Sequence, residues 1–541
     1  MGGPGAGGDG GVGGGGGSTA SISSGMGGGG GGGSGGGECK VDDREGCYDG
    51  TEGTQDVGIC EAGTRICDPI GTWGVCEGQV LPGIEDASIP GDENCDHWTG
   101  ECQWQHRFGD SGGQRVFRMS VAPDGSSFIT GFFDGLLDFG DGAGAQAGRS
   151  YVAKFDPSGN GLWSKTFGQD TGASHGRAVA AHPDGGVILV ATVYAGPADF
   201  GGGLFDPVSD DAVVAVRYAP NGDFVSSWLL DGGLSTWVQP YAAAAGSDGR
   251  IAVGGNCGGS IQIGGNTKPC ALSSAFVARL DPDGDAPLWI NTFGAQGVDN
   301  GVKQVLSLAI DEAGDVLAAG WLLSVVDFGV ELVGEPGLTT GFLAKLDGDT
   351  GTVVWARSLG PFQEWKSLDL ALDPDGNPVV ATSLSGDFDF GDGCAVASGV
   401  VDIDVAIVKL AGNGDCSWVR HFPVAGEQRP HGVAVDGDGR VVVGGFSLGP
   451  IDFGLGEHAL KGIMDAFLLK LDENGNPLWS RTFGDANDGS SDPENIWSLG
   501  VDGDGFIYTT GSFDGNVNFG DLDMSLTNAG ATDLFIAKYA P

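Results

Sequence analysis

Long apolar runs are absent from this chain of 541 residues. No stretch approaches the roughly 18 consecutive apolar residues that a membrane-spanning helix requires. The amino terminus also lacks the charged n-region and apolar h-region of a secretory signal. The residues therefore predict no transmembrane segment, and they show no export signal of their own.

Basic residues are scarce. Lys and Arg number 26 against 72 Asp and Glu, which gives a formal net charge of −46. The summed field of such a chain repels nucleic acid and anionic membrane surfaces, which argues against both as partners. The charge fits a soluble protein that works outside the cell, with most carboxylates on solvated strand faces and turns.

Motifs of catalysis and metal binding are missing as well. The seven His are scattered, without an HxH or HExxH pair, and no GxSxG elbow is present. The Cys spacings contain no paired CxxC knuckles with nearby His, which argues against zinc. We therefore predict no catalytic residue, no metal site and no cofactor, and a protein that is not an enzyme.

A repeated β-hairpin is what the chain does contain. In the stretch from Asp465 to Gly484, two short strands, Ala466 to Lys470 and Pro477 to Phe483, flank a turn of Asp, Asn and Gly, which tolerate turn geometry. A second hairpin, typified by Val433 to Gly454, lies between successive copies, so each repeat unit supplies four strands. The closing Trp of the hairpin returns at steps of 59, 65, 61, 66, 63 and 61 residues, at Trp104, Trp163, Trp228, Trp289, Trp355, Trp418 and Trp479.

The two ends of the repeat region complement each other. The chain ends at Pro541 after the third strand of a unit, whereas Trp104 to Gly109 is a lone fourth strand with nothing before it. Together they make one complete unit, which is how a ring closes by joining its termini in one sheet. We therefore predict an all-β fold, a seven-bladed β-propeller of four-stranded antiparallel blades.

The consensus of these units, D-A-F-V-A-K-L-D-P-x-G-N-x-L-W-S-K-x-F-G with an intervening G-x-F-x-G-x-x-D-F-G, resembles the bacterial β-propeller repeats known as SBBP repeats. The resemblance covers Trp104 to Pro541. It implies a secreted or surface-attached propeller, and it transfers no catalytic residue to this chain.

Two further segments precede the propeller, which we assign to residues 103–541. Residues 1–37 are almost wholly Gly and Ser and should form a disordered tether. Residues 38–102 hold seven of the eleven Cys and too few large apolar residues for a core, so disulfides should hold this segment together. It resembles the Cys-rich segments of myxobacterial surface proteins, although Asp86 stands near the place where that pattern has a Cys.

The Cys content predicts an oxidising compartment. We expect the protein at the outer cell surface, lipid-anchored through a signal upstream of Met1. Within the repeats, Cys257 and Cys270 suit a bridge across an extra hairpin, and Cys394 has Cys416 as its nearest unused partner. Both bridges would be structural.

Asp-rich turns such as Asp436-Gly-Asp438-Gly, Asp502-Gly-Asp504-Gly and Asp281-Pro-Asp283-Gly-Asp285 suggest calcium, since alternate carboxylates can share a hard cation. They lack a terminal bidentate Glu, and a hairpin turn already requires Asp and Gly there. Similarly, Gly341 to Trp355 has the Asp, Thr-Gly and Trp of a quinoprotein propeller repeat, but the other units lack the Thr-Gly. A calcium-stabilised mechanical spacer remains an alternative, and a quinone-dependent dehydrogenase is not favoured.

Aligning the units on the Gly of their first turn exposes a ring of hydrogen-bond donors. Small residues five positions before this Gly suit the crowded axis of a propeller, where first strands line a central channel. Ten positions before it stand seven residues that donate from nitrogen, and these should lie at one mouth of the channel. This donor ring comprises Arg115, His175, Gln239, Gln304, Lys366, Arg429 and Asn495.

Arg and Lys in the donor ring suit a carboxylate or sulfate, and Gln and Asn suit sugar hydroxyls. We favour His175, Lys366 and Arg429 for ligand contact, with a neighbouring wall formed by Arg177, Tyr241, His431 and Trp497. Solvated strand entries, with donors on loop carbonyls, are the simpler interpretation of the same pattern.

The predicted function is thus a non-enzymatic binding or scaffold protein, monomeric, whose partner is a glycan, a polyanion or a protein. The alternative is a lyase or hydrolase with its site at the channel mouth, because folds of this kind host many chemistries.

Overall fold

The computed structural model describes residues 39–50, 55, 60–81, 102–168, 174–194, 197–205, 211–233, 236–282, 286–294, 301–361, 367–391, 393–397, 403–484, 494–519 and 525–541. All regular structure in these ranges is β-strand, which confirms the all-β prediction. None of the described residues belongs to a helix of the length and apolarity that a bilayer crossing requires. The chain divides into two compact regions, the described parts of which are 39–81 and 102–541. The predicted tether lies outside the described residues.

Disulfides organise the N-terminal region. Strands β1 (Arg44–Cys47) and β2 (Gly63–Ile66) pair antiparallel. The bridges Cys39–Cys67 and Cys47–Cys76 tie them to the flanking chain, with Cα–Cα distances of 5.9 and 5.7 Å. Large apolar side chains such as Ile70 and Val75 are exposed here, so the bridges take the place of an apolar core. The predicted internal disulfides are present.

The repeat region begins at Cys102, one residue inside the segment predicted to be Cys-rich. Its strands up to residue 293 are β3 (Cys102–Phe108), β4 (Gln114–Val121), β5 (Ser127–Phe133), β6 (Leu136–Leu137), β7 (Gln146–Ala147), β8 (Ser150–Phe155), β9 (Gly161–Phe167), β10 (Ser174–Ala181), β11 (Val187–Val193), β12 (Ala198–Asp199), β13 (Leu204–Phe205), β14 (Ala212–Tyr218), β15 (Phe224–Asp231), β16 (Trp237–Ala245), β17 (Ile251–Ile263), β18 (Asn266–Leu280) and β19 (Pro287–Phe293).

The later strands repeat the same order. They are β20 (Lys303–Ile310), β21 (Val316–Leu323), β22 (Val326–Asp327), β23 (Leu332–Val333), β24 (Thr339–Leu346), β25 (Val353–Pro361), β26 (Leu368–Leu372), β27 (Pro378–Leu384), β28 (Phe388–Asp389), β29 (Ala395–Val396), β30 (Asp404–Leu410), β31 (Cys416–Phe422), β32 (Gln428–Val435), β33 (Val441–Ser447), β34 (Ile451–Asp452), β35 (Glu457–His458), β36 (Asp465–Leu471), β37 (Pro477–Phe483), β38 (Asn495–Val501), β39 (Ile507–Phe513), β40 (Asn516–Asn518), β41 (Ser525–Thr527) and β42 (Asp533–Tyr539).

Antiparallel sheets of four strands recur along the chain. Their orders are β4-β5-β8-β9, β20-β21-β24-β25, β26-β27-β30-β31, β32-β33-β36-β37 and β38-β39-β42-β3. Strands β10, β11, β14 and β15 join β16 to β19 in one larger sheet, because β15 also pairs with β17 through Leu230↔Ile263 and Asp231↔Gln262.

The first strands of successive units contact one another in a closed circuit. The order of contact is β4, β10, β16, β20, β26, β32, β38 and again β4. The last sheet is completed by β3, which pairs with β42 from Cys102↔Tyr539 to Phe108↔Leu534. The beginning and the end of the repeat region thus share one sheet, and the arrangement is that of a β-propeller.

Burial follows strand position within the unit. The second strand β11, VILVATV, is buried at every residue, and so are β33, β36 and β42. Middle strands packed on both faces read as continuous apolar runs. In β9, at a sheet edge, only Phe167 is buried and the other residues are partly or fully exposed. The core therefore lies between neighbouring sheets.

Six units carry a short extra hairpin between their second and third strands, which the four-strand prediction lacked. The pairs are β6-β7, β12-β13, β22-β23, β28-β29, β34-β35 and β40-β41. The motif D-F-G forms these excursions: Phe200 and Phe453 are fully buried beneath them. The consensus Phe thus closes the outer part of the unit.

The remaining unit extends its own hairpin instead. Strands β17 and β18 run to 13 and 15 residues, and Cys257–Cys270 bridges them at a Cα–Cα distance of 5.8 Å. Cys394–Cys416 links another excursion to the fourth strand of its unit, at 6.2 Å. Both bridges join the residues that the sequence paired.

Candidate functional site

A basic side chain on the third strand meets the first turn of its own unit in six cases. Lys345 Nζ lies 2.7 Å from the Asp311 carboxylate, and Lys409 Nζ lies 2.9 Å from that of Asp373. The other pairs are Arg217–Asp184, Arg279–Asp248, Lys470–Asp436 and Lys538–Asp502. The consensus Lys of A-K-L therefore anchors the turn of the neighbouring hairpin.

The same turn aspartates also cap their own turns. Asp436 Oδ1 accepts hydrogen bonds from the backbone N–H groups of Asp438 and Arg440, at 3.0 and 2.9 Å. Asp502 does the same for Asp504 and Phe506, at 3.1 and 2.9 Å. The second oxygen of each carboxylate pairs with a third-strand Lys. Turn capping and this ion pair together account for the recurring Asp without calcium. The described residues contain no cluster of three or more metal-ligating side chains.

The repeated Trp docks each unit onto the next. Trp355 Nε1 donates to Gly412 O at 2.9 Å, and Trp104 Nε1 donates to Pro157 O at 3.2 Å. Trp163, Trp289 and Trp418 make the equivalent bond. Gly414, at φ 86°, lies so close to Trp355 that any Cβ would stand 3.0 Å from the ring. The Trp and the turn Gly are thus two halves of one contact between units.

The first strands enclose a channel cavity of about 930 Å³. Its wall contains all seven small residues found five positions before the turn Gly: Ser120, Ala180, Ala244, Ala309, Ala371, Ala434 and Gly500. Most of the remaining lining is Ala, Val, Leu and Ile. The first strands therefore line a central channel, as the repeat pattern predicts.

A separate, narrow cavity of about 190 Å³ lies at the strand-entry end of the channel. Arg118 and Leu306 line both cavities, and Arg118 Nη2 donates to Leu306 O at 3.2 Å. These residues sit on β4 and β20, which are not neighbours in the circuit of first strands. The Arg118 side chain therefore reaches across the channel and separates the two cavities.

Side chains eight positions before the turn Gly line the narrow cavity. We call these residues the bulge ring, because the strand register shifts at this position in six units. A β-bulge adds one residue to a strand and re-aims its side chain. The bulge ring comprises Phe117, Arg177, Tyr241, Leu306, Leu368, His431 and Trp497.

Aromatic contacts hold one cation and one imidazole of the bulge ring in place. The Arg177 guanidinium lies 5.1 Å from the Phe117 ring centre, and it hydrogen-bonds the Tyr194 hydroxyl. His431 stacks on Trp497 with centroids 4.6 Å apart and an interplanar angle of 5°. These contacts fix the rings and the guanidinium before any ligand arrives.

The donor ring supports the bulge ring rather than lining the cavity. Tyr241 Oη donates to Gln239 Oε1 at 2.9 Å, and it accepts from Gln304 Nε2 at 3.2 Å. Asn495 Oδ1 lies 3.2 Å from His431 Nδ1. None of the described donor-ring side chains belongs to the lining of the narrow cavity. The narrow cavity is thus lined by the wall residues and not by the described donor-ring side chains.

The other members of the donor ring occupy varied surroundings. His175 stacks on Phe132 at 4.6 Å, Arg429 is buried and paired with Glu427, and Arg115 is exposed. Lys366 lies outside the described residues.

The narrow cavity is electropositive in a strongly acidic chain. Its described lining contains Arg118 and Arg177 but no Asp or Glu, and neither guanidinium forms an ion pair with a described residue. Burial, together with the nearby charges of Arg118 and Arg429, lowers the pKa of His431 to about 3, although the hydrogen bond to Asn495 acts in the opposite direction. Burial, followed by Arg177 and Arg149, lowers the pKa of His175 to about 4. Both imidazoles are neutral at pH 7, so the two guanidinium groups carry the positive charge.

The bulge and the role of Arg118 are what the sequence reasoning missed. Gly445 on the second strand faces the bulge so closely that a Cβ would stand 1.9 Å from Arg429 O. Gly131, Gly255, Gly320 and Gly511 occupy the equivalent position. A Gly inside an otherwise apolar strand often marks a bulge or a close backbone approach. This Gly was the available signal, and it identifies the strand position that faces the channel mouth.

Comparisons with known proteins give a fold-level likeness at most. No protein-family model matches the chain. An uncharacterised WD repeat-containing protein of Acanthamoeba polyphaga mimivirus is 26% identical over 150 residues, which is 26% of this chain and 10% of that protein. The solved Dos1 propeller is similar over 80% of this chain and 94% of that one, at 10% identity and a TM-score of 0.38. A gluconolactonase from Xanthomonas campestris is similar over 68% of this chain and 90% of its own chain, at 12% identity and a TM-score of 0.30.

Proposed function

We propose that the chain is a binding or scaffold protein of the cell surface that captures anionic glycans at the narrow cavity. In this proposal the seven repeat units are the four-stranded blades of a seven-bladed propeller of the SBBP type, which occupies residues 103–541. The Cys-rich segment 38–102 and the tether 1–37 connect it to a lipid anchor. The disulfides support an oxidising compartment, outside the cytosol.

The observation that carries the proposal is the composition of the narrow cavity. Two guanidinium groups without a described carboxylate partner meet three aromatic side chains there, in a chain whose carboxylates outnumber its bases 72 to 26. Charge-assisted bonds from Arg are geometrically matched to carboxylate and sulfate. No described carboxylate balances this positive charge, so it is available to a ligand.

The size of the cavity restricts the ligand. A volume of about 190 Å³ corresponds to about six waters at roughly 30 Å³ each. Such a site admits one terminal sugar ring with an acidic substituent. The acid would accept hydrogen bonds from Arg177 and Arg118, and the ring would pack on Trp497 and Tyr241.

The proposal is tested by binding on a glycan array that includes sulfated heparin oligosaccharides, oligogalacturonides and neutral malto-oligosaccharides. We expect wild type to bind the acidic probes, and Arg177→Ala with Trp497→Ala to lose that binding by about tenfold or more. Arg250→Ala is the matched control, because Arg250 is a solvent-accessible guanidinium away from the cavity. Equal binding by the double variant and by wild type, or preference for the neutral probes, would overturn the proposal.

A further inference from the structure

The channel cavity contains a second charged group of opposite sign, Asp369 on β26. Its position is seven residues before the turn Gly, where most units carry Ala, Ser or Gly. Asp369 is partly buried and belongs to the wall of the channel cavity. It is therefore a carboxylate in a channel that is otherwise mostly apolar.

Two neighbouring units hold this carboxylate in place. Ser307 Oγ on β20 donates to Asp369 Oδ1 at 2.7 Å, and the backbone N–H of Val433 on β32 donates to Oδ2 at 3.1 Å. Each oxygen thus accepts one hydrogen bond from a neutral donor, which leaves further lone pairs on both. Three consecutive first strands fix the group, so it is preorganised.

No cation of the described chain balances Asp369. In this it differs from the turn aspartates, six of which pair with the third-strand Lys or Arg of their unit. Arg118 lines the same cavity, but it forms no ion pair with Asp369 and bonds Leu306 O instead. Because no described cation pairs with this partly buried charge, the carboxylate is available to a cation that a ligand supplies.

The surroundings favour an organic cation over a metal ion. No group of three or more metal-ligating side chains is present among the described residues, so a hard cation lacks the oxygen ligands that it needs. The cavity wall beyond Asp369 is formed by small and branched apolar residues, including Ala371, Ala434 and Val435. Such a wall suits an aliphatic stem.

We propose that the channel cavity binds an alkylammonium group, with the ammonium on Asp369 and its aliphatic chain along the apolar wall towards the turn end. At that end the lining includes Asp124 and also Asp184, which Arg217 already pairs, so Asp124 adds a further carboxylate at the entrance. The same chemistry occurs in a free polyamine and in the side chain of a lysine-containing peptide.

Calorimetric titration of the full chain tests this site at low salt. The probes are cadaverine, spermidine and an acetylated lysine-containing peptide, with calcium chloride and acetylated norleucine amide as probes that lack the ammonium. We expect at least one ammonium probe to bind, and Asp369→Asn to weaken it by about tenfold or more, since a charge-assisted bond is lost. Cadaverine or spermidine alone would identify a small amine as the occupant, whereas the peptide alone would identify a protein lysine.

The matched control is Asp327→Asn, an exposed carboxylate that accepts a backbone hydrogen bond in a short excursion. It should leave binding unchanged. Ala245→Leu offers a second variant, because another unit carries Leu372 at the equivalent position and tolerates that volume. It narrows the channel and should also reduce binding. No heat with any ammonium probe, or equal affinity in wild type, Asp369→Asn and Ala245→Leu, would overturn the inference. The acidic-glycan test at the narrow cavity is independent of both results.

Discussion

The two ends of the first strands differ in how closely the units repeat. At the turn end, six units present a turn Asp paired with a third-strand Lys or Arg, and the recurring Trp docks onto the next turn. At the entry end, the bulge ring presents Phe117, Arg177, Tyr241, His431 and Trp497 beside two leucines. The backbone bulge is shared, while the side chain it presents is not.

This difference separates folding from binding. A contact that must be made in every unit restricts each copy to the same residues, because each sheet buries its faces only against its neighbours. A position that points into a cavity escapes that restriction. Where a regular repeat becomes irregular, the irregular positions are the candidates for function.

The largest expected effect is at the turn end. Trp355→Ala removes a nearly buried indole that packs on Gly414 and bonds Gly412 O, so we expect a loss of about 3–5 kcal/mol in the free energy of unfolding. Urea unfolding followed by circular dichroism measures it. Val354→Ala, the exposed neighbour on the same strand, is the control and should cost under about 0.5 kcal/mol. Similar values for both variants would show that the Trp contact does not hold the units together.

The buried ion pair Lys470–Asp436 should rank next. Lys470→Met leaves the buried Asp436 carboxylate with only the more distant and more exposed Arg440 as a cation partner, at 3.7 Å, which we expect to cost about 3 kcal/mol. The double variant Lys470→Met with Asp436→Asn should recover much of this loss, since Asn Oδ1 can still cap the turn. Arg250→Met, at an exposed pair with Asp349, is the control and should cost under about 1 kcal/mol. A double variant as unstable as the single one would contradict the pairing role.

A smaller effect is expected at the entry end, as a dependence of stability on pH. The folded pKa of His431, about 3, lies below its usual value of 6.5, so the unfolded chain binds the proton more readily between these values. The stabilisation by neutral His431 is therefore complete above pH 6.5 and is lost as the pH falls towards 3. Between pH 7 and pH 4 we expect about 3 kcal/mol of the wild-type loss to come from this residue.

His431→Gln should flatten that part of the pH profile. Unfolding of wild type and the variant in denaturant, at intervals from pH 7 to pH 4, gives the two curves. Parallel curves would mean that His431 is protonated as readily in the folded protein as in the unfolded chain.

Sequence periodicity predicts the regular end well and the irregular end only in part. The Trp step, the split unit at the termini and the two repeat-region bridges all follow from local patterns that recur. The predicted strand Ala466 to Lys470 is observed as Asp465–Leu471, one residue longer at each side. Local signals are sufficient here because each unit forms the same contacts from the same sequence pattern.

The entry end depends on a shift of strand register that residue spacing alone does not reveal. Counting ten residues back from the turn Gly ignores the extra residue of the bulge, so the residues favoured for ligand contact fall in the donor ring. Four side chains that do line the cavity were predicted only as its neighbouring wall: Arg177, Tyr241, His431 and Trp497. Arg118 and Asp369 were missed for another reason. Each occurs in a single unit, and their partners on β20 and β32 are brought near only by closure of the ring.

One measurement tests the separation of folding from binding most directly. Arg177→Leu replaces one member of the bulge ring by the residue that two other units carry there, Leu306 and Leu368. We predict a free energy of unfolding within about 0.5 kcal/mol of wild type, together with about tenfold or greater loss of binding to sulfated heparin oligosaccharides. Retained binding, or a loss of stability comparable to that of Trp355→Ala, would contradict the account.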